Sequence, residues 1–295
     1  MVRYLIAIVI TLLLVSTTQA ENHHAASPAF KSVKVADNIF MLQGKGGNVA
    51  VLTTAAGLLM IDDDYKQMTP ALLRAIEPFG GTKALKYVIN THWHGDHTQG
   101  NAELGRHAAI VAHHNVRERL NSRQEIKLFN MVSEPYAAHA LPSITYQSAM
   151  HLHLGDETIE LMHFANAHTD GDSVVRFTKA NVVHMGDLYF NGFFPFVDIA
   201  SGGNVVTLAK NVAEVLRSID KNTVVIPGHG PLSNKTELKR YKKMLEGTVA
   251  EVRKMQKRGL SLAQMQERGL SAKWDKWADG FLSPAQWIAL VHDSF

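Results

Sequence analysis

A chain of 295 residues with 46% hydrophobic composition can bury one large α/β core, or one domain with a helical appendage, which excludes disorder as its default state. The 30 Lys and Arg nearly balance the 27 Asp and Glu and lie scattered along the chain, which excludes the clustered basic surface that nucleic-acid binding needs. We therefore expect a small-molecule substrate and no nucleic-acid partner, whereas the oligomeric state stays open.

The first twenty residues have the composition of a cleaved secretory signal. Arg3 precedes an apolar run at residues 5–15, which is too short to span a bilayer comfortably, and small or polar residues follow as far as Ala20. We expect residues 1–20 to be removed, leaving a periplasmic or secreted protein that begins near Glu21 and has no membrane association. An uncleaved amino-terminal anchor is the alternative. The chain has no cysteine, so a lipoprotein anchor is excluded and the fold uses no disulfide.

The first predicted elements after the leader are strands. Short β-branched segments with glycine-bearing turns predict a strand meander at residues 39–43, 48–53 and 57–61. Apolar residues at helical spacing predict a helix at residues 68–79, which ends at a glycine pair. A buried strand at residues 85–90 then runs directly into a histidine motif, so the candidate chemistry begins at the carboxyl end of a strand.

Strands and helices alternate beyond residue 100. Helices are predicted at residues 101–104 and 114–121, around a strand at 109–112, whereas residues 122–142 have only weak periodicity. A second series of strands is predicted at residues 150–154, 158–164, 173–177, 182–186 and 223–226. Two strand-rich halves with intervening helices predict an α+β fold in which two facing mixed sheets carry helices on their outer sides.

The last part of the chain is predicted to be helical. Apolar residues at helical spacing predict helices at residues 238–255, 260–268 and 283–292, the last with Ser283 as its N-cap and Pro284 in its first turn. We therefore expect one domain at residues 21–233 and a carboxyl-terminal helical extension at residues 234–295 that packs on it. Whether this extension covers the active site stays open.

The segment His92-Trp93-His94-Gly95-Asp96-His97 places four candidate metal ligands within six residues. On extended backbone, His92 and His94 project to the same side and can bind one ion together. Gly95 permits a sharp turn that can send Asp96 and His97 towards a second ion. Imidazole nitrogens suit zinc, and carboxylates complete such sites. We therefore predict a metal site in a loop, unlike the helical H-E-x-x-H pattern.

Three more candidate ligands each follow a predicted strand. They are His168, Asp187 and His229, the last within Pro227-Gly228-His229-Gly230. Because strand ends at one rim of a sheet bring distant residues together, we expect these side chains to join the motif at residues 92–97.

The HWHGDH motif, the isolated His168 and Asp187 and the PGHG segment, in this order, resemble the metallo-β-lactamase superfamily across most of the mature chain. The resemblance implies an αββα sandwich with a two-metal site at one edge. It implies two Zn²⁺ as cofactors, with iron or manganese as alternatives. It assigns His92, His94 and His168 to the first ion, Asp96, His97 and His229 to the second, and Asp187 to both. Asp62 resembles the family's aspartate that orients a ligand loop through hydrogen bonds.

The activity that this resemblance implies is that of a metallo-hydrolase. Two zinc ions about 3.5–4 Å apart would share a water with a pKa lowered to near 7, and the hydroxide would attack a carbonyl. Asp96 would orient this nucleophile and carry a proton, which makes it the candidate catalytic residue. We expect cleavage of a cyclic amide or ester, with β-lactams and lactones as the substrate classes to test.

Two features of the sequence narrow the choice of subfamily within this superfamily. The absence of cysteine excludes the β-lactamase subclasses with a thiolate on the second metal, so Asp96 with His97 is closer to the Asp/His β-lactamases and the glyoxalase II-like enzymes. The resemblance makes Asp187 a bridging carboxylate, which is typical of the wider superfamily's thioesterases and lactonases rather than of dedicated β-lactamases. The alternatives are a glyoxalase II-like thioesterase of the hydroxyacylglutathione hydrolase type, an iron-dependent redox member, and a non-catalytic metal-binding protein. His94 stands where diiron reductases usually carry Glu, which argues against the redox alternative.

Aromatic residues cluster around the candidate ligands. Phe190, Phe193, Phe194, Phe196 and Trp93 either line an apolar substrate pocket or belong to the core, and the core is the commoner outcome. Tyr189 is a candidate hydrogen-bond donor to an oxyanion, with a structural role as the favoured alternative.

Overall fold

The computed structural model describes residues 29–295. The expected leader at residues 1–20 lies outside this range. The strands are β1 (Lys31–Lys34), β2 (Ile39–Gln43), β3 (Val49–Thr54), β4 (Gly57–Ile61), β5 (Leu85–Asn90), β6 (Ala109–His113), β7 (Gln124–Ile126), β8 (Met131–Ser133), β9 (Ile144–Tyr146), β10 (Ala149–Leu154), β11 (Glu157–His163), β12 (Ser173–Phe177), β13 (Val182–His184), β14 (Val224–Ile226) and β15 (Ser233–Asn234).

The helices connect and cover these strands. They are α1 (Thr69–Ile76), α2 (Gly81–Ala84), α3 (Gly95–Thr98), α4 (Asn101–Leu104), α5 (His114–Leu120), α6 (Val205–Ser218), α7 (Lys235–Lys257), α8 (Leu262–Arg268) and α9 (Pro284–His292). Short 3₁₀ turns lie at Lys66–Met68, Glu77–Phe79, Lys127–Phe129, Ala138–Ala140, Gly186–Leu188, Ile199–Ser201 and Ala272–Ala278.

Two sheets face each other. The first has the order β1-β2-β3-β4-β5-β6-β9, antiparallel from β1 to β4 and parallel from β4 to β9. The second has the order β10-β11-β12-β13-β14-β15 and is antiparallel except for the parallel pair β13 and β14. Strands β7 and β8 form a separate hairpin. The expectation of two mixed sheets is confirmed.

Alternating side chains of each strand fill two different layers, because successive residues of a strand point to opposite faces. The layer between the sheets contains Ile39, Leu52, Leu59, Ile89 and Val111 of the first sheet and Ile159, Leu161, Val175, Phe177 and Ile226 of the second. The outer face of the first sheet, with Val51 and Met60, packs against Leu72 and Ile76 of α1. The outer face of the second sheet, with Val183 and Val225, packs against α6, α7 and α9. These layers make the αββα sandwich that the resemblance implied.

The carboxyl-terminal helices lie on the second sheet. Leu238 and Leu245 of α7 and Trp287 of α9 are fully buried in the same core cluster as Val183 of β13. Ser283 caps α9 by accepting a hydrogen bond from the backbone N–H of Gln286, and Pro284 occupies the first turn. Within residues 29–295, no helix combines the length and the apolar character that crossing a membrane requires.

The structure corrects several predicted elements. The helix expected at residues 68–79 ends at Ile76, because Pro78 lacks the N–H that a continuing helix needs, and a 3₁₀ turn follows. The weakly periodic residues 122–142, for which no element was predicted, contain the hairpin β7-β8. Helix α6, β1 and β9 were not predicted.

Candidate metal centre

All seven predicted ligands lie at one edge of the sandwich, where strands of both sheets end. His92 and His94 follow β5, and His168 follows β11. Asp187 lies in the 3₁₀ turn after β13, and His229 follows β14. The chain turns at Gly95 as expected, but the prediction of a loop is wrong, because Asp96 and His97 lie on the short helix α3. The backbone N–H of His97 donates to the carbonyl of His94 at 3.0 Å, which closes this helical turn.

The first group of ligand atoms consists of His92, His94, His168 and Asp187. All four residues are buried, and their ligand atoms lie within 4.8 Å of one another. The Nδ1 atom of His94 lies 2.8 Å from Nε2 of His168, which in turn lies 3.4 Å from Oδ2 of Asp187. Four ligand side chains from three separate segments therefore converge on one point.

The second group consists of Asp96, His97 and His229, again within 4.8 Å. The Nε2 atom of His229 lies 3.2 Å from Oδ2 of Asp96 and 3.3 Å from Nε2 of His97. Asp187 also reaches this group, because its Oδ1 lies 3.1 Å from Nε2 of His97 and its Oδ2 lies 3.4 Å from Nε2 of His229. The Asp187 carboxylate is thus shared by both groups.

The outward nitrogen of four of these imidazoles is held by a protein oxygen atom. Nδ1 of His97 lies 2.7 Å from Oδ2 of Asp62, and Nδ1 of His168 lies 2.8 Å from the carbonyl oxygen of Phe196. Nε2 of His94 lies 3.1 Å from Oδ2 of Asp198, and Nδ1 of His92 lies 3.1 Å from Oγ1 of Thr91. In the neutral form of each ring, this carbonyl, carboxylate or hydroxyl oxygen accepts the imidazole proton, so the other nitrogen presents its lone pair to the centre.

These contacts fit bound cations. The outward proton of His94 is held by Asp198, and that of His168 by the carbonyl oxygen of Phe196. The inward nitrogens of the two rings therefore direct lone pairs at each other across 2.8 Å. Only a positive charge between or beside these nitrogens makes that arrangement favourable. The buried Nε2 of His92 has no hydrogen-bond partner among residues 29–295. Imidazole and carboxylate donors without thiolate suit zinc, iron or manganese.

The electrostatics of the two groups differ in the metal-free protein. Burial lowers the pKa of His92 well below its ordinary value and that of His168 to about 4, so both are neutral ligands at pH 7. For His229, burial lowers the pKa, but the carboxylates of Asp187 and Asp96 outweigh it and raise the value to about 9. The same competition raises the pKa of His97 well above its ordinary value. His97 and His229 therefore carry positive charge that offsets the negative charge of the Asp187 and Asp96 carboxylates, and a bound cation would replace the protons.

Two glycines bring the backbone against the ligands. A Cβ atom at Gly228 would lie 2.0 Å from Oδ1 of Asp187, and one at Gly47 would lie 2.0 Å from Cε1 of His97. A side chain at either position would displace a ligand, because real Cβ contacts are much longer.

A cavity of about 350 Å³ opens beside the ligands. Its polar lining residues are Lys45, Tyr65, His94, Asp96, Asp187 and His229, and its apolar ones are Ile126, Phe129, Met131, Phe190, Phe196 and Phe281. Of the aromatic residues discussed from the sequence, Phe190 and Phe196 line this cavity. Phe194 instead stacks on Trp287 in the core, with ring centroids 5.3 Å apart. Tyr189 has a structural position, since its hydroxyl is 2.7 Å from Oγ of Ser233 and lies outside the cavity lining.

Sequence reasoning missed Asp198, Tyr65, Phe129 and Phe281. No motif surrounds Asp198, and its contact with His94 spans 104 positions of the chain. Phe129 lies in the weakly periodic stretch, and Phe281 lies between the predicted tail helices. The one usable signal was at Tyr65, which directly follows the acidic turn that contains Asp62.

Comparison with known families gives a match over more than half of the chain. The family model described as "Metallo-beta-lactamase superfamily" matches residues 68–229, a range that contains all seven candidate ligands. An uncharacterized protein of Aquifex aeolicus (strain VF5) is 33% identical over 88 residues, which is 30% of this chain and 41% of that protein. The chain therefore aligns with less than half of that relative's length.

Solved structures with the same architecture are similar over about three quarters of the chain. The DIM-1 metallo-beta-lactamase is 22% identical with a TM-score of 0.60, over 74% of this chain and 98% of that one. A metallo-beta-lactamase from Cronobacter sakazakii (Enterobacter sakazakii) is 18% identical with a TM-score of 0.64, over 78% and 97%. One from Pontibacter korlensis is 17% identical with a TM-score of 0.60, over 74% and 99%. At these identities the likeness concerns the fold alone.

Proposed function

Because this chain belongs to the metallo-beta-lactamase superfamily, we propose that it is a zinc-dependent hydrolase. Water attacks the carbonyl carbon of a cyclic amide or ester, and the bond from that carbon to the ring nitrogen or oxygen breaks. β-Lactams and lactones are the substrate classes. Superfamily membership and the His/Asp clusters support a metal-binding hydrolase fold, and the choice of zinc and of the cyclic substrate is our proposal.

The observation that carries the proposal is the position of Asp187. Its Oδ1 faces His97 at 3.1 Å, while its Oδ2 faces His168 and His229, each at 3.4 Å. A single buried carboxylate that faces two separate groups of imidazoles is the arrangement expected for two cations held close together. A single structural zinc needs only four ligands. One such ion would not account for the convergence of Asp96, His97 and His229 in a second group.

Metal ions in such a site supply a nucleophilic water of lowered pKa and polarise the substrate carbonyl. The residues of the chain do the rest. Asp96 lines the cavity, and its Oδ2 is 3.2 Å from Nε2 of His229. Although burial opposes ionisation, the imidazoles of His97 and His229 lower the pKa of the Asp96 carboxyl. Asp96 therefore stays ionised at neutral pH, and we assign it the task of orienting the water and accepting its proton.

The first test is the initial rate of hydrolysis of a chromogenic cephalosporin, beside lactone and ester panels and a glutathione thioester. We expect a zinc-dependent kcat/KM of about 10⁴ M⁻¹s⁻¹ or more on a cyclic amide or ester, a value that chelation abolishes. Asp187→Ala should lose this activity, whereas Asp37→Ala, a change at a fully exposed carboxylate, should keep it. Activity confined to the glutathione thioester would overturn the cyclic-substrate proposal in favour of the thioesterase.

The metal is tested separately by elemental analysis of the purified chain. We expect two zinc ions per chain, and one in His229→Ala. His153→Ala should retain both, because His153 is exposed, contacts Thr158 and belongs to neither ligand group. Reconstitution with manganese or iron then ranks the metals by rate. A chain that binds only iron and hydrolyses none of the panel would contradict the proposal and favour the redox alternative.

A further inference from the structure

Four phenylalanine rings form a continuous row over the metal centre. Ring centroids are 4.9 Å apart for Phe196 and Phe129, 6.0 Å for Phe129 and Phe281, and 5.9 Å for Phe281 and Phe190. All four side chains line the cavity that contains the ligands. We call Phe129, Phe190, Phe196 and Phe281 the aromatic arch.

The arch covers both groups of ligands. At one end, the ring of Phe196 lies 5.7 Å from that of His94. At the other end, the ring of Phe190 stacks on that of His229 at 4.9 Å, and the ring of Phe281 lies 6.3 Å from that of His229. A substituent on a carbonyl bound at the centre therefore contacts a phenylalanine ring whether it extends over the first or the second group of ligands.

The middle of the arch comes from outside the αββα sandwich. Phe129 ends the 3₁₀ turn between β7 and β8, and Phe281 lies between the 3₁₀ turn Ala272–Ala278 and α9. The walls at Phe190 and Phe196 are buried, being 1% and 6% exposed, whereas Phe281 is 47% exposed. Phe281 thus presents a large apolar face to water beside the catalytic centre, and a ligand that covers this face gains hydrophobic free energy.

We propose that the aromatic arch selects substrates whose acyl part carries a phenyl ring or an apolar group of similar bulk, with Phe281 and Phe129 as the specificity-determining residues. This inference rests on the proposed function, because it concerns the group attached to the hydrolysed carbonyl. Among residues 29–295, six apolar side chains line the cavity, and Lys45 is the one lysine or arginine that does so. A thioester of a hydrophilic tripeptide would not bury these apolar side chains, so it would gain little hydrophobic free energy from them.

A binding experiment tests the arch without turnover. The probes are 4-phenylbutanoate and butanoate, which share a carboxylate and differ by the phenyl ring. For metal-loaded wild-type protein, calorimetry should give a Kd at least tenfold lower for 4-phenylbutanoate, equivalent to about 1.4 kcal/mol. In Phe281→Ala and in Phe129→Ala, the ratio of the two Kd values should fall below about threefold.

Leu128→Ala is the matched control. Leu128 belongs to the same 3₁₀ turn as Phe129 and is 39% exposed, but it does not line the cavity. It should keep the wild-type ratio. Equal Kd values for the two probes, no measurable binding of 4-phenylbutanoate up to about 10 mM, or an unchanged ratio in both phenylalanine variants would overturn the inference.

A kinetic arm separates this inference from the proposed function. Penams with and without a phenylacetyl side chain, and lactones with and without a phenyl substituent, should differ by tenfold or more in kcat/KM, and Phe281→Ala should reduce that difference. Hydrolysis with equal rates and equal Kd values would leave the proposed function intact and reject the arch. Selective binding that Phe281→Ala abolishes, without hydrolysis of any substrate, would support the arch and reject the proposed function.

Discussion

The Nδ1 atom of His97 lies 2.7 Å from Oδ2 of Asp62, and both side chains are fully buried. Asp62 also accepts hydrogen bonds from the backbone N–H and the hydroxyl of Thr91, each at 2.8 Å. One carboxylate therefore fixes both the ring of a ligand and the start of the loop that carries His92 and His94. Asp62 belongs to neither group of candidate ligands, so we expect it to affect metal binding through the ligands that it positions.

Asp62→Asn should weaken metal binding by about 10- to 100-fold, because in either orientation the amide N–H₂ group faces at least one of the donors from which Asp62 now accepts a hydrogen bond. Asn tolerates the positive φ of +61° at this position, so the backbone can stay in place. Competition with a fluorescent chelator measures the metal Kd. Asp37→Asn, at an exposed carboxylate, is the control. A Kd within twofold of wild type would mean that Asp62 has only a structural role.

The ligand motif could be predicted because its residues are adjacent in the sequence. The side chains that orient the ligands could be predicted only in part. Four ligands lie within residues 92–97, and Asp62 ends a predicted strand. Asp198, by contrast, reaches His94 from a segment without periodicity or motif, and only the packed fold brings them to 3.1 Å. Spacing along a chain carries no information on such a contact.

Metal binding should release protons and strengthen as pH rises. The carboxylates of Asp187 and Asp96, although opposed by burial, raise the pKa of His229 from 6.5 to about 9 in the metal-free protein. A cation must displace this proton at pH 7, so the association constant should rise by up to about tenfold per pH unit for each proton released. Calorimetry in buffers of different ionisation enthalpy counts the protons. Metal affinity that is independent of pH between 6 and 8 would contradict this assignment.

The same raised pKa predicts how the stability of the metal-free protein depends on pH. A group whose pKa is raised on folding stabilises the fold fully below its unfolded value, here near 6.5, and this contribution is lost as pH rises through about 9. The Tm of metal-free protein should therefore fall from pH 6.5 to 9, and His229→Ala should remove part of that fall. If the Tm of metal-free wild type and of His229→Ala changed in parallel, His229 would not be the group responsible.

Gly228→Ala should disable the centre although it replaces no ligand. Its Cβ would lie 2.0 Å from Oδ1 of Asp187 and 2.6 Å from the carbonyl oxygen of Gly186, so the shared carboxylate must move. We expect loss of at least one metal ion per chain by elemental analysis. Gly171→Ala is the control, because the atoms nearest to its added methyl belong to Val116 and Asn115, at 3.0–3.6 Å, and not to a ligand. Full metal occupancy in Gly228→Ala would mean that the backbone shifts to accommodate the methyl group and leaves the Asp187 carboxylate in place.

The sandwich was more predictable than the walls of the cavity. Strands β2, β4, β5 and β12 follow the apolar patterns closely, because a buried strand needs apolar residues along most of its length. Phe129 and Phe281 lie in short irregular segments, where a single ring is held by tertiary contacts and no pattern repeats. Whether the tail reaches the active site was open from the sequence, and the position of Phe281 in the cavity lining answers it.

The segment that carries Phe281 is tied to α7 through Glu251. The Glu251 carboxylate accepts hydrogen bonds from the backbone N–H of Ser271 at 2.9 Å, from its hydroxyl at 2.6 Å and from Nε1 of Trp274 at 2.9 Å, and it pairs with Lys273. Although burial opposes ionisation, these partners lower the pKa of Glu251 from 4.5 to about 2. The depressed pKa means that this stabilisation is present above pH 4.5 and is lost as pH falls through about 2.

Glu251→Gln should therefore destabilise the fold by about 1–2 kcal/mol at pH 7 in urea denaturation, with a smaller difference from wild type near pH 3. Hydrogen exchange should accelerate locally at residues 271–282, and the preference for 4-phenylbutanoate over butanoate should weaken because Phe281 is held less firmly. Glu246→Gln on the same helix is the matched control, since Glu246 is exposed and pairs with Lys242 on its own helix. If exchange at residues 271–282 were equally slow in Glu251→Gln and Glu246→Gln, packing of Trp274 rather than the Glu251 carboxylate would hold the tail against the centre.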